Sequence, residues 1–184
     1  MEAMLAPLLQ AVRVALAATP TSVILIDGPS GAGKSTLADR LVAAWPRARH
    51  PVLVRMDDLY PGWGGLEAGS ALVHKELLRS RGEARTARWQ RYDWETAAPG
   101  EWVRVDAERP LIVEGCGTLL RENVPFSTLR VWITADDEVR KRRALERDHG
   151  GFDAHWDEWQ RQFDDFVARE HPIECANLVL DGTT

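Results

Sequence analysis

The chain has 184 residues, enough for one domain with a single substantial core, and its 45% hydrophobic and 28% charged content is ordinary for a soluble globular protein. A formal net charge of −5 gives no electrostatic advantage to a nucleic-acid or anionic-membrane partner. Two cysteines, Cys116 and Cys175, are too few for a disulfide framework and lack metal-type spacing, so they read as free thiols in a reducing compartment.

The first predicted element runs from Met4 to Ala18. It is apolar and ends in small residues, but Glu2 stands where a signal peptide needs positive charge, and Pro7, Gln10 and Arg13 interrupt the run. Leu5, Leu8, Leu9, Val12 and Leu16 follow helical spacing instead. The reading is a packed first helix in a cytoplasmic protein, with no transmembrane span.

Val23 to Asp27 is a run of four apolar residues and an aspartate, the pattern of a parallel strand buried on both faces. Gly28-Pro29-Ser30-Gly31-Ala32-Gly33-Lys34-Ser35-Thr36 follows directly and matches the phosphate-binding G-x-x-x-x-G-K-[ST] spacing of a P-loop, or Walker A sequence. Each residue type has a physical task. Gly28, Gly31 and Gly33 can take positive φ, which turns successive N–H groups inward as an anion nest. A helix beginning near Lys34 aims free N–H groups at the same point. Lys34 adds a mobile charge for the β- and γ-phosphates, and the Ser35 hydroxyl can ligate Mg²⁺. Gly28, Ser30, Gly31, Ala32, Gly33, Lys34, Ser35 and Thr36 are therefore the expected cradle for ATP, with Lys34 also catalytic. Leu37, Leu41 and Trp45 give the following segment an apolar helical face.

Beyond the turn at Pro46 to Pro51, Val52 to Met56 reads as a second strand ending at Asp57-Asp58-Leu59-Tyr60. Residues 68–81 are helix-like. Gly82 to Val105 is polar, aromatic and weakly periodic, and is expected to be mostly loop. Leu111 to Val113 is a third strand ending at Glu114-Gly115, and Leu129 to Ile133 a fourth. Asp136 to Asp148 and Asp153 to Glu170 read as charged helices, and Leu178 to Leu180 as the last strand. Strands alternating with helices predict a doubly wound α/β domain over residues 1–184, whose ligands bind beyond the carboxyl ends of the strands. Gly28, Asp57 and Glu114 each follow such an end.

Phosphoryl transfer needs a phosphate cradle, a metal, a group to orient the incoming hydroxyl and positive charge for the transferring group. Asp57 or Asp58 can accept a hydroxyl proton or ligate Mg²⁺, and Glu114 can hold Mg²⁺ directly or through water. Arg140, Lys141, Arg142, Arg143 and Arg147 form a basic cluster on one helix. It is readable as a lid around 140–152 that closes on the triphosphate, with Arg140 binding it and Arg143 supplying catalytic charge. The five histidines show no ligand spacing. Tyr60, Trp63, Trp89, Tyr92 and Trp94 are candidates to line an acceptor pocket suited to a ring-shaped substrate.

Over nearly its full length the chain resembles the uridine kinase and phosphoribulokinase family of P-loop kinases. The resemblance rests on Gly28 to Thr36, on Asp57 to Tyr60 where the family has Asp-x-Phe-Tyr, and on Tyr92-Asp93-Trp94 where uridine kinases have Tyr-Asp-Phe. Glu114-Gly115, the arginine-rich helix ending Arg147-Asp148 and the final strand closing with Gly182 continue it. It implies a five-stranded parallel sheet in the order 2-3-1-4-5, Asp57 as the base on the acceptor hydroxyl, and Mg²⁺ near Ser35, Asp57 and Glu114. It also implies acceptor contacts from Asp57, Tyr60, Tyr92 and Trp94. Two departures count against uridine itself: the histidine that uridine kinases carry soon after Tyr-Asp-Phe is absent near Ala97, and Ala84 to Gln90 lacks the Asp-rich ribose segment. The expected activity is an ATP- and Mg²⁺-dependent kinase for a small-molecule hydroxyl. A kinase for a non-nucleoside metabolite or a nucleoside monophosphate, or a nucleotide-dependent switch or hydrolase working through a partner protein, are the alternatives. The absence of an Asn-Lys-x-Asp segment weighs against a GTPase switch.

Overall fold

The computed structural model describes residues 2–83 and 85–183; positions 1, 84 and 184 of the expectations above lie outside it. Five strands form a parallel sheet: β1 (Val23–Asp27), β2 (Val52–Arg55), β5 (Leu111–Glu114), β6 (Leu129–Thr134) and β7 (Leu178–Asp181). Their order is β2-β5-β1-β6-β7. That is the expected 2-3-1-4-5 order, because β3 (Ala87–Asp93) and β4 (Ala98–Val105) stand outside this sheet.

Alternation along the central strands sorts the core into two layers. Val23 and Leu25 of β1, with Leu111 and Val113 of β5, face one side; Ile24, Ile26, Ile112, Val131 and Ile133 face the other. The second side is covered by α1 (Glu2–Ala18) and α2 (Lys34–Ala43). Met4, Leu8, Val12, Ala15 and Leu16 bury one stripe of α1, so the apolar leading segment is a packed helix. No helix among the described residues is long and apolar enough to cross a membrane.

The first side is covered by α3 (Leu66–Leu72), a π-helical stretch over Val73–Arg79, α4 (Ser80–Gly82) and α6 (Trp156–Glu170). Trp156, Trp159, Phe163 and Phe166 bury the inner face of α6. Between β6 and α6 lies α5 (Asp137–Arg147), whose N-terminus is capped by the Asp136 carboxylate accepting from the N–H groups of Glu138 (3.1 Å) and Val139 (3.0 Å). A short α7 (Pro172–Cys175) leads into β7.

The expectation of loop over 82–105 is corrected. β3 (Ala87–Asp93) and β4 (Ala98–Val105) form an antiparallel hairpin paired from Ala87–Val105 to Asp93–Ala98, with an irregularity between Gln90 and Tyr92. Ala87, Trp89 and Val105 point into the core while Arg88 and Arg104 point out, a period-2 pattern that Pro99, Gly100 and the irregularity disguise. At the tip, the Asp93 carboxylate accepts from the N–H groups of Glu95 and Thr96, and Ala97 takes φ 49°.

The packing of α1 predicts a contrast between two of its positions. Leu8→Ala, at a fully buried site, should lower unfolding free energy by about 2–5 kcal/mol. Val14→Ala, at a site 62% exposed, should change it by less than about 0.5 kcal/mol. Urea unfolding of the two variants checks both, and equal small effects would mean that α1 does not pack as described.

Candidate active site

Three strand ends converge, and one buried carboxylate ties two of them. Asp27, at the end of β1, is fully buried and accepts from the N–H groups of Gly28 (2.7 Å), Gly117 (3.0 Å) and Leu119 (2.8 Å). Burial pushes its carboxyl up to about 6, against the pull of those N–H groups and of Lys34. The two loops it joins are crowded. A Cβ at Gly115 (φ 142°) would run into Met56, and one at Gly117 (φ 87°) into Ser70, so only glycine fits.

The P-loop has the conformation its residues allow. Gly28, Gly31 and Gly33 all take positive φ, and Gly33 leads into α2 from the left-handed region. Lys34 is 7% exposed and folds back over the loop, donating to the carbonyls of Gly28 (2.8 Å) and Pro29 (2.9 Å) and to the Cys116 thiol (3.4 Å). These contacts hold Lys34 in the cradle that its own loop forms. A cavity of about 270 Å³ opens there, bordered by the loop residues, Asp57, Glu114, Cys116, Arg143 and Arg147.

Glu114, at the end of β5, is buried and ion-pairs with Arg55 (3.2 Å). Burial raises its carboxyl, and the nearby Asp57 charge adds to the rise; Lys34, the Ser35 hydroxyl and Arg55 act the other way. Asp57 sits in a short 3₁₀ turn, Met56–Asp58, that follows β2. Among the described residues no three His, Cys, Asp or Glu side chains form a ready-made metal cage. Ser35, Asp57 and Glu114 border one cavity, and two of the three are carboxylates that repel each other, so the donor set fits a Mg²⁺ ion completing its shell with phosphate oxygens and water.

A second cavity, of about 420 Å³, lies beside the first and shares Ser30, Asp57 and Arg147 with it. Its other walls are largely aromatic: Tyr60, Trp63, Trp94, Phe152 and Trp159. Gln162 of α6 fixes the Trp63 segment, donating to the Trp63 carbonyl (2.8 Å) and accepting from the Leu66 N–H (3.3 Å). The hairpin tip closes one side, since the Trp94 indole donates to the Asp57 carbonyl at 2.8 Å. The Tyr60 hydroxyl donates to the Cys116 carbonyl at 2.7 Å, so the carboxylate-bearing turn and the loop after β5 are joined.

Several expected positions differ from this arrangement. The Arg140 side chain does not reach the P-loop cavity. It pairs with Asp137 (2.6 Å) and Gln160 (2.9 Å) and lies over the Trp156 ring at 5.4 Å, while its main-chain carbonyl is what crowds Gly31. Arg143 borders the cavity but spends its donors on the carbonyls of Gly182 (2.6 Å) and Thr183 (2.9 Å). Arg147 borders both cavities, held by the Asp148 carboxylate at 2.7 and 2.9 Å, which also raises its affinity for the proton. Trp89 is buried in the hairpin core rather than in a cavity wall, and Tyr92 stands behind Trp94, edge-on at 5.3 Å. Phe152, Trp159, Cys116 and Asp27 join the site without having been singled out. The helical spacing of Trp156, Trp159 and Phe163 signals a core face, and which member borders a cavity is a tertiary matter.

A family model described as an AAA domain matches residues 24–155. The chain belongs to the AAA-domain family. No curated protein matches the sequence. Among solved structures, a protein described as a possible uridine kinase from Bacillus stearothermophilus aligns with a TM-score of 0.64 at 20% identity, over 94% of this chain and 97% of that one. A candidate fructose transport system kinase from Silicibacter sp. TM1040 aligns with a TM-score of 0.62 at 23% identity, over 95% and 98%. The chain thus has the nucleotide-binding P-loop kinase fold.

The buried Asp27 has a consequence for pH. Its folded-state carboxyl titrates near 6 against an ordinary value of 3.8, so the folded protein binds more protons than the unfolded chain between these values. Stability from this group is therefore greatest at low pH and falls as pH rises through about 4 to 6, by up to roughly 3 kcal/mol. Glu114 and Asp58, also raised by burial, act with the same sign. Denaturant unfolding across pH 4–7 should show this slope reduced in Asp27→Asn; an unchanged slope would show that Asp27 ionises normally in the fold.

Proposed function

We propose that this chain is an ATP- and Mg²⁺-dependent kinase that transfers the γ-phosphoryl group of ATP to a hydroxyl of a small molecule. One observation carries the reading: Asp57 borders both the P-loop cavity and the aromatic cavity, so a single carboxylate stands where a phosphate and an organic acceptor would meet. The kinases named among the solved relatives support it at the level of fold.

In this reading Gly28, Ser30, Gly31, Ala32, Gly33, Ser35 and Thr36 cradle the triphosphate, and Lys34 leaves its carbonyl partners for the phosphate oxygens. Ser35, Asp57 and Glu114 would hold Mg²⁺, which would neutralise charge on the phosphates. Asp57 accepts the proton of the acceptor hydroxyl as its oxygen bonds to the γ-phosphorus and the β,γ-bridging bond breaks, leaving ADP and a phosphate ester. Arg147, between the cavities, supplies positive charge to the transferring group, with Arg143 a second candidate. Residues 140–152 act as the lid, and Tyr60, Trp63 and Trp94 hold the acceptor. The single-domain, cytoplasmic reading, without nucleic-acid or membrane partners, belongs to the same proposal.

ATP consumption should be negligible with protein alone and rise sharply with a suitable alcohol in a screen of nucleosides, sugars and vitamin alcohols. Uridine is expected to be a poor acceptor, below about 10⁵ M⁻¹s⁻¹ in kcat/KM. A rise seen only with an added protein would favour the switch or hydrolase alternative.

Two substitutions test the assigned roles. Lys34→Ala should abolish turnover while the protein still folds, as checked by circular dichroism at ambient temperature. Asp57→Asn should lower kcat by about 10²–10⁴-fold, whereas Asp58→Asn, whose partner is Arg91 at 3.6 Å, should alter stability or acceptor KM more than kcat. The reverse ranking would move the base to Asp58.

A further inference from the structure

The hydrogen-bonding inventory of the aromatic cavity narrows what it can hold. Its rings outnumber its free polar groups. The Tyr60 hydroxyl is committed to the Cys116 carbonyl and the Trp94 indole N–H to the Asp57 carbonyl. Trp63 is stacked with Phe152 and His155 at ring separations of 5.0 and 4.6 Å, and Trp94 leans on it at 5.0 Å. A sugar or a ribose diol brings several hydroxyls that each need a partner, and leaving them unpaired in a ring-lined cavity is costly.

The charges point one way. Asp57 and Asp148 border the cavity, and Glu158 stands by Gly64 at the adjoining loop, 3.9 Å from His155. Arg147 is the one cation among the described lining residues, and the Asp148 carboxylate grips it through two hydrogen bonds. Arg147 is paired with Asp148, so in the metal-free protein Asp57 is the charged group of the cavity wall with no hydrogen-bonded counter-ion among the described residues. Indole and phenyl faces with a carboxylate attract organic cations, because the negative ring faces and the carboxylate act together on a weakly hydrated positive charge.

We propose that the acceptor is an alcohol carrying an organic cation, an alkylammonium group or an N-alkylated heteroaromatic ring, held between Trp63, Trp94 and Trp159 with its hydroxyl at Asp57. The proposal rests on the kinase reading for the hydroxyl's fate, which is ester formation with release of ADP and a proton. Recognition of the cation does not depend on that step and is measured separately.

The probes are matched pairs that differ in charge alone: choline against 3,3-dimethylbutan-1-ol, and N-methyl-3-(hydroxymethyl)pyridinium against 3-methylbenzyl alcohol. Binding is read by intrinsic tryptophan fluorescence without ATP, and turnover by ATP consumption with Mg²⁺. The expected result is that, in at least one pair, the cation binds about tenfold or more tightly than its neutral twin. The preference should weaken severalfold in Trp94→Ala and recover in Trp94→Phe. Both variants lose the indole bond to Asp57, so the comparison isolates the ring, and at 40% exposure neither should unfold the protein. Equal binding within both pairs, or preference for the neutral member, overturns the proposal. Cation binding without ATP consumption upholds the cation site and counts against the kinase reading. Turnover of neutral alcohols without a cation preference does the opposite.

Discussion

The site depends on a carboxylate that does no chemistry. Asp27 gathers three N–H groups from two different loops at the carboxyl edge of the sheet. Those bonds add to the β1–β5 pairing and to the Cys116 thiol, which donates to the Gly28 carbonyl (3.3 Å), in holding the start of the P-loop beside the segment after β5. The cost is a buried carboxylate whose charged form, the one present at neutral pH, is penalised by desolvation. Asp27 thus exchanges some stability for a fixed spacing between the phosphate cradle and the carboxylates that face it.

Around that anchor the cavity's arginines are already engaged, Arg143 with the Gly182 and Thr183 carbonyls and Arg147 with Asp148. Glu114 is buried next to Asp57, and Lys34 is turned back onto its own loop. Both features have one physical resolution, a bound polyanion with its metal, which would draw Lys34 forward and offset the paired carboxylates. The aromatic cavity differs in kind, with rings on most sides and most polar atoms spent internally. The boundary between a polar and an apolar compartment runs through Asp57 and Arg147.

How much of this was legible beforehand varied with the range of the interactions. The P-loop was, because its spacing, preceding strand and following helix are contiguous in the chain. So was the sheet order, which the family resemblance implies. The β3–β4 hairpin was hidden by Pro99, Gly100 and the irregularity at Gln90–Tyr92, since alternation is the sole local mark of a strand. The arginines of α5 were visible as a cluster, but which of them faces the phosphate cavity depends on the rotation of α5 against Gly31. That rotation turns Arg140 towards α6 and leaves Arg143 and Arg147 at the cavity. Asp27 looked like an ordinary strand end because its three donors lie next to it in space and, apart from Gly28, about ninety positions away in sequence.

The anchoring of α5 has a mechanical corollary. At Arg140 the helix is pinned by Gln160, Trp156 and the close backbone approach to Gly31. Beyond its other end nothing lies within 4 Å of the place a Cβ would take at Gly150, which has φ 92°. Arg143, tied to the carbonyls of Gly182 and Thr183, and the buried Ala144 seat the middle of the helix as well, so the part left to move is the turn from Asp148 to Gly151, which carries the carboxylate that grips Arg147. A shift of that turn would exchange one hydrogen-bond partner of Arg147 for another and leave the helix, the sheet and the P-loop where they are.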